Sequence, residues 1–264
     1  MVRDIDGGPA VVGAVMDEAV PRPALATPRH PVAWRYPSLY ELYFAVSPLA
    51  ARLRRRELDA VLGAVDRLVD RSHRVLEVGC GPGTYTLPIA VRCDRLIALD
   101  SSEAMLQRLL ERAVASGALN VEARWGRVPD QLGDEGAFDG LVAAGVLDYL
   151  PDLERALTGL SRSLCSGGWA VFTVPLTRLP ARPAALLDGL ALRRSHAWRA
   201  EEVVNAAVAA GLVVRGVESV GVWRRGRTLV VRAVREPTPP SCPRCSEWHA
   251  PLAARGGDGA ARRS

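Results

Sequence analysis

Lysine is absent from this chain of 264 residues, and all 34 of its basic residues are arginine. A Walker phosphate-binding loop needs a lysine after its last glycine, so that class of nucleotide-binding site is excluded. No apolar run reaches the length of a membrane span. The five cysteines stand at irregular spacings that do not indicate a disulfide framework. The first residues also lack the charged-then-apolar order of a signal peptide, and we expect a soluble, cytoplasmic protein.

The composition is that of an ordinary globular protein, with 48% hydrophobic and 24% charged residues. The length suits one large α/β domain with tails. We predict a disordered arm over residues 1–33, a domain over residues 34–235 and a flexible tail over residues 236–264, because both ends are rich in Ala, Pro and Gly without a clear period. The net charge of +5 is too small to indicate nucleic-acid binding by itself.

The most informative stretch covers residues 73–84 and reads HRVLEVGCGPGT. Its short apolar run is typical of a strand that is buried on both faces. The three glycines that follow allow a tight turn and let backbone N–H groups approach a ligand. Thr84 can cap a helix over residues 85–92. The stretch therefore predicts a strand, a glycine turn and a helix, with a ligand at the carboxyl end of the strand.

The spacing of these glycines is G-x-G-x-G, which differs from the G-x-G-x-x-G of dinucleotide sites. An acidic residue, Asp100, follows Glu77 by 23 positions at the end of a second predicted strand. This combination resembles motif I and the acidic loop of class I S-adenosylmethionine-dependent methyltransferases. The alternative is a glycine turn that only joins a strand to a helix.

The resemblance implies a doubly wound α/β fold with a seven-stranded sheet, mostly parallel with one antiparallel strand, and an N-terminal helical lid. It also implies that the cofactor is S-adenosylmethionine. The cofactor-binding residues that it implies are Glu77, Gly79, Cys80, Gly81, Gly83, Thr84, Asp100, Ser101, Met105, Arg127, Val128 and Ala144.

One position departs from the family pattern. Asp100 can accept hydrogen bonds from both ribose hydroxyls, and a charged acceptor makes such bonds stronger. Many relatives then carry Gly-Asp to meet the adenine amine, whereas here Gly126 is followed by Arg127. Backbone groups of Arg127 and Val128, or the side chain of Asp130, are the candidate replacements.

Aromatic residues concentrate in a predicted N-terminal helical segment over residues 34–70. Tyr36, Tyr40, Tyr43 and Phe44 follow a helical stripe. Ordinary core packing would explain it. The resemblance favours a lid, with Tyr36, Tyr40 and Tyr43 facing the substrate. A second helix, predicted over residues 49–70, carries Arg52 and Arg54 to Arg56 on a mostly solvated side.

The acceptor region is less clearly marked. Residues 143–146 read AAGV in the place where methyltransferases of nucleic-acid amines carry N/D-P-P-Y/F, which argues against a base amine as acceptor. Asp148, a candidate base, and Tyr149 follow close to the predicted active face, and both are candidate catalytic residues. An insertion over residues 175–198 contains His196, a candidate for proton transfer, and Trp198, a candidate substrate contact. A helix cap for Asp148 and a surface position for His196 are the plain alternatives.

The tail contains Cys242, Cys245 and His249, which are three potential zinc ligands where a structural site normally uses four. A redox pair or inert cysteines fit equally well, and we expect no metal.

We predict an enzyme that transfers a methyl group from S-adenosylmethionine to an O, N or C nucleophile of a small, apolar or aromatic acceptor. The arginine clusters keep an RNA or protein methyltransferase open, although we do not expect nucleic acid as partner. Arg127 keeps a non-catalytic cofactor-binding protein open.

Overall fold

A computed structural model describes residues 36–132, 135–176, 196, 198–222 and 225–237, without the side chains of residues 222–227. The predicted arm, most of the tail and most of the 175–198 insertion lie outside the described residues. So do Cys242, Cys245 and His249, whose assignment stays a prediction.

Seven strands and six helices follow one another in the described part of the chain. The strands are β1 (Arg74–Val78), β2 (Arg95–Asp100), β3 (Val121–Trp125), β4 (Phe138–Ala143), β5 (Leu164–Pro175), β6 (Leu212–Val222) and β7 (Arg225–Arg235). The helices are α1 (Pro37–Val46), α2 (Pro48–Val65), α3 (Thr86–Ala90), α4 (Glu103–Ser116), α5 (Leu153–Ser163) and α6 (Ala200–Ala209). A single 3₁₀ turn spans Leu147–Tyr149.

The strands form one sheet in the order β3-β2-β1-β4-β5-β7-β6. β7 is antiparallel to both of its neighbours, and the other pairs are parallel. The chain order reverses at β1, which pairs with β2 on one side and β4 on the other. In such a sheet, ligands bind in the crevice beyond the carboxyl ends of the strands at the switch point. The predicted fold class is confirmed, and the glycine turn leaves β1 at this crevice.

Helices cover both faces of the sheet, so its strands are apolar on both sides. Leu76 packs on one face with residues of α5 and α6, such as Leu157 and Val203. Val75, the neighbouring residue, packs on the other face with α2, α3 and α4. The alternation along β1 places each successive side chain in a different core. The two cores hold the carboxyl ends of the strands in fixed positions.

Two local predictions are wrong. Thr84 does not cap α3, which begins at Thr86 with Tyr85 as N-cap and no side-chain cap bond. Gly83 has a φ of +88°, so the turn continues past the point where the motif predicts the helix. The Ser-Gly-Gly run at residues 166–168 also predicts a turn that enters a fifth strand over residues 169–174, but these residues form a bulge within β5, which begins at Leu164.

Candidate active site

A cavity of about 360 Å³ lies beyond the carboxyl ends of β1, β2, β4 and β5. Two sets of elements line it. The turn side consists of the glycine turn and the segments that follow β2 and β3. The helix side consists of α1, α2, the 3₁₀ turn after β4 and the ends of β5 and β7. The volume is within the range of small-molecule sites.

The glycine turn forms the first wall of the turn side. Gly79, Cys80 and Gly81 line the cavity, and the N–H of Gly79 donates to the carbonyl of Leu99 at 2.8 Å. Gly79 has a φ of +69°, and a Cβ there would stand 2.7 Å from Val146. Gly81 has a φ of +53° and open space where its Cβ would be. Glycine is required at Gly79 for space and conformation, and at Gly81 for conformation.

Asp100 joins the end of β2 to the glycine turn. Its carboxylate accepts hydrogen bonds from the N–H groups of Gly81 at 2.9 Å and Ser102 at 2.8 Å. Burial raises the pKa of Asp100, while the backbone N–H groups of Ser102, Gly81 and Ser101 lower it. The cap of α4 is Ser102, whose hydroxyl accepts from the N–H of Met105. Asp100 is therefore not the cap of α4.

The helix side is built from residues far apart in sequence. Glu57 of α2 accepts from the hydroxyl of Thr173 at 2.9 Å, and that hydroxyl accepts from the N–H of Gly145 at 2.9 Å. Asp148 lies in the 3₁₀ turn and lines the cavity. Burial, with a smaller contribution from Glu57, raises the pKa of Asp148 to about 6.

Arg54 adds the only cation that α1 and α2 contribute to the cavity lining. Its guanidinium lies over the rings of Tyr40, Phe44 and Tyr85, and it donates to the hydroxyl of Tyr40. Such stacking stabilises a cation that has left water.

Comparison with known proteins identifies this arrangement. Residues 75–168 match the family model of a methyltransferase domain. These residues contain the glycine turn, Asp100 and the 3₁₀ turn. They form a class I S-adenosylmethionine-dependent methyltransferase domain.

Among curated proteins, the chain is 32% identical over 124 residues to a trans-aconitate 2-methyltransferase of Rhodococcus jostii, a match that covers 46% of this chain and 45% of the relative. It is 29% identical over 101 residues to a ubiquinone biosynthesis O-methyltransferase of Chromobacterium violaceum, covering 38% and 43%. The matches span less than half the length of these relatives.

Solved structures share the fold of the methyltransferase domain. A methyltransferase structure from Bacillus halodurans has a TM-score of 0.57 at 13% identity, covering 67% of this chain and 99% of that one. Geranyl diphosphate C-methyltransferase of Streptomyces coelicolor, solved with S-adenosyl-L-homocysteine, has a TM-score of 0.57 at 16% identity, covering 67% and 75%.

The methyltransferase domain brings most of the predicted cofactor residues to the cavity. The predicted cofactor residues in the lining are Gly79, Cys80, Gly81, Asp100, Ser101, Met105, Arg127, Val128 and Ala144. The structure does not place Glu77, Gly83 or Thr84 in the lining. Glu77 is 1% exposed within β1, and burial raises its pKa to about 8. Gly83 packs against α4, where a Cβ would stand 2.5 Å from Leu109.

The segment after β3 contains the residues that could replace the missing Asp contact with the adenine amine. The backbone N–H of Arg127 already donates to the side chain of Gln131 at 3.1 Å. Asp130 pairs with Arg155 at 2.8 Å on the surface, because both side chains point to solvent. Asp130 is not part of the cavity lining, whereas Arg127 and Val128 are, and the residue that meets the adenine stays a prediction.

Only some of the predicted catalytic and substrate residues line the cavity. Tyr40, Asp148 and Tyr149 line the cavity, whereas Tyr36, Tyr43, His196 and Trp198 do not. Tyr36 and Tyr43 are 55% and 36% exposed. Tyr36 precedes α1 as its N-cap and does not have helical backbone angles, whereas Tyr40 and Phe44, four residues apart, share one face of α1. Trp198 packs on the core of the sheet.

His196 contacts the 3₁₀ turn of Asp148 through its backbone. Its N–H donates to the carbonyl of Asp148 at 2.6 Å, and its ring lies 5.9 Å from the ring of Trp198. Asp148 does not cap α5, because Asp152 accepts from the N–H of Arg155 and is the cap. Asp148 is therefore not a helix cap, and His196 is not part of the cavity lining.

Sequence reasoning missed Arg54, Glu57, Thr173, Pro175 and Thr228 in the lining. Arg52, Arg55 and Arg56 are exposed as predicted, but Arg54 is not. No short motif marks these residues. The helical stripe of Tyr40 and Phe44 is the one signal that pointed to this side.

In the part of the chain that the structure describes, no helix has the length and apolar character needed to cross a membrane. The same residues contain no group of three or more His, Cys, Asp and Glu side chains arranged to hold a metal ion.

Proposed function

We propose that this protein transfers the methyl group of S-adenosylmethionine to an O, N or C nucleophile of a small, apolar or aromatic molecule. The observation that carries the proposal is the single cavity that joins the turn side to the helix side. A cofactor on the turn side and an acceptor on the helix side would share one enclosed space. The cofactor supplies an electrophilic methyl group on a sulfonium centre.

The turn side fits this cofactor. The open space at Gly81 leaves room for a ligand against the backbone. Asp100 is held by two backbone N–H groups and lines the cavity, so its free lone pairs can accept from two ribose hydroxyls. Asp100 and the turn residues are therefore the proposed cofactor contacts, together with Ser101, Met105, Val128 and Ala144.

The helix side fits the acceptor. Asp148 has a carboxyl with a pKa of about 6, so it is ionised at neutral pH and can take a proton from a hydroxyl or an ammonium group. Tyr40 and Phe44 form an aromatic wall that excludes water from the reacting atoms. Most of the acceleration would come from holding the nucleophile in line with the methyl group.

The small-molecule preference is supported by the relatives as they are named, which act on trans-aconitate or in ubiquinone biosynthesis. We do not assign either substrate to this chain. The cavity of about 360 Å³ admits a small molecule more readily than a polymer.

The test has two stages. Calorimetry with S-adenosylhomocysteine should show stoichiometric binding. Methyl-labelled S-adenosylmethionine is then incubated with a panel of phenols, quinols, aromatic amines and carboxylic acids. Asp148→Asn should keep binding and lose transfer, while Asp59→Asn on the exposed side of α2 should keep both. Absence of binding, or binding without transfer to any panel member, would count against the proposal.

A further inference from the structure

Arg54 is a cavity residue whose hydrogen-bonding capacity is largely unused. Among the residues that the structure describes, it donates a hydrogen bond only to the hydroxyl of Tyr40, and its Nε is buried without a partner. Among the described residues, no carboxylate forms an ion pair with it. Glu57 lies one turn later on α2, but one of its oxygens is taken by Thr173.

Burial disfavours the charged guanidinium, but the charge of nearby Glu57 favours it and helps to raise the pKa of Arg54. No carboxylate in the described part of the chain bonds to its N–H groups, and buried N–H donors without acceptors are costly. Arginine stays protonated in proteins, so it cannot escape this cost by losing its proton. Its planar fork matches the two oxygens of a carboxylate. The geometry around Arg54 is therefore that of a site that a carboxylate completes.

The position of the guanidinium defines where that carboxylate would lie. Its Cζ is 4.9 Å from the ring centre of Tyr85, which follows the glycine turn directly. Its Nη1 lies 3.5 Å from the place where a Cβ on Gly145 would be. Arg54 thus stands over the gap between the carboxyl ends of β1 and β4, where the turn side and the helix side meet.

We infer that Arg54 is a carboxylate-binding residue of this cavity, placed to receive either the methionine carboxylate of the cofactor or a carboxylate of the acceptor. The inference rests on the proposed function, since that cofactor carries one carboxylate. The rings of Tyr40, Phe44 and Tyr85 hold the guanidinium flat before the ligand arrives.

The first arm of the experiment tests the cofactor as the source. Calorimetry compares S-adenosylhomocysteine with its decarboxylated analogue, S-adenosyl-3-thiopropylamine, and with 5′-methylthioadenosine. A cofactor carboxylate on Arg54 predicts that the wild type prefers S-adenosylhomocysteine over the decarboxylated analogue by about 10- to 100-fold, the range for hydrogen bonds to charged groups. Arg54→Gln should lose that preference and bind methylthioadenosine as the wild type does.

The second arm tests the acceptor as the source. With the cavity saturated by S-adenosylhomocysteine, calorimetry compares phenylacetate with the neutral phenylacetamide. An acceptor carboxylate on Arg54 predicts a preference for phenylacetate that Arg54→Gln abolishes, with unchanged affinity for S-adenosylhomocysteine. The matched control in both arms is Arg55→Gln, on the same helix with its side chain in solvent.

A preference for the carboxylate in either arm that depends on Arg54 supports the inference and names the source. It is overturned if the wild type shows no preference in both arms, or if the preference survives in Arg54→Gln. Should Arg54→Gln melt far below the wild type, Arg54→Met takes its place in both arms, and a wild type without any preference overturns the inference whichever variant is used. A wild type that binds neither S-adenosylhomocysteine nor methylthioadenosine would refute the proposed function as well, which separates the two failures.

Discussion

The two sides of the cavity are built in opposite ways. On the turn side, the backbone N–H groups of Gly79 and Cys80 donate to the carbonyl of Leu99 in β2, and that of Gly81 donates to the carboxylate of Asp100. On the helix side, α1 has no buried residue, and its neighbours meet through side chains. Backbone bonds inside a packed sheet constrain positions more tightly than side-chain contacts between an exposed helix and its surroundings. We expect a rigid turn side that recognises a constant cofactor and an adaptable helix side that selects the acceptor.

The largest expected effect comes from filling the turn side. Gly79→Ala should abolish binding of S-adenosylhomocysteine in calorimetry, because its Cβ would stand 2.7 Å from Val146. The matched control is Gly117→Ala at the end of α4, which has nearly the same φ, +70°, and no atom within 4 Å of the new Cβ. Both variants share the cost of a left-handed residue, about 1–2 kcal/mol. Equal binding of S-adenosylhomocysteine by both variants would show that the glycine turn can shift to make room for the Cβ, which would contradict a rigid turn side.

The next effect concerns Asp100. Asp100→Asn should weaken S-adenosylhomocysteine by about 1.5–3 kcal/mol, the range for hydrogen bonds to a charged group. Asp94→Asn, an exposed residue just before β2, serves as control and should bind normally. A change of a few tenths of a kcal/mol would mean that Asp100 serves the turn alone. Calorimetry at one fixed pH measures both variants.

A pH dependence should arise on the helix side. The pKa of Asp148 is raised to about 6 by burial, so its carboxylate is present above pH 6 and is protonated as the pH falls. We expect kcat/KM for any methylated panel acceptor to drop about tenfold between the plateau and pH 5. ¹³C NMR of the carboxyl carbons should assign the titration by its absence in Asp148→Asn. A rate profile that is flat across this range would remove Asp148 as the base.

The same shift has a consequence for stability. Because the folded state binds this proton more tightly than the unfolded chain, the stability that protonated Asp148 contributes is full below about pH 4 and is lost as the pH rises through about 6. Chemical denaturation at pH 4 and pH 7 measures the free energy of unfolding of the wild type and of Asp148→Asn. Raising the pH should lower this free energy more in the wild type than in Asp148→Asn.

The smallest effect concerns how α1 is held. Arg108 of α4 pairs with Glu41 of α1 through two contacts of 3.0 Å. Glu41→Gln should speed hydrogen exchange in residues 36–46 by a few-fold and leave the melting temperature unchanged, since a partly exposed pair contributes about 0–1 kcal/mol. Glu111→Gln removes the other partner of Arg108, within α4, and should leave α1 unaffected. Global unfolding of the Glu41 variant would show that α1 is part of the core and not an adaptable part of the helix side.

The contrast between the two sides also explains what the sequence could predict. The glycine turn follows β1, and Asp100 and Ser101 follow β2, the next strand along the chain, which pairs with β1 in parallel. Their order in the sequence therefore predicts that they meet at one edge of the sheet. The predicted helix cap at Thr84 is wrong because Gly83 prolongs the turn. Gly83 packs against Leu109, and no sequence motif records such a contact.

The helix side could not be predicted in this way. Glu57 and Thr173 meet only because α2 crosses the end of β5, and Arg54 turns inward among charged neighbours that face water. A periodic pattern gives the apolar face of α2, but it does not tell which arginine at the edge of that face points into a cavity. The sequence marks His196 only as a candidate for proton transfer, and it does not predict that the backbone N–H of His196 donates to the carbonyl of Asp148.

The bond from Thr173 to Glu57 spans 116 positions of the chain. During synthesis, the ribosome delivers α2 and the glycine turn long before β5. A nascent chain that stops short of residue 173 can pair β1 with β2 and form the turn side, yet it has nothing to hold Glu57 in place. We therefore expect competence for the cofactor to appear first in translation, and competence for the acceptor only after β5 has joined the sheet.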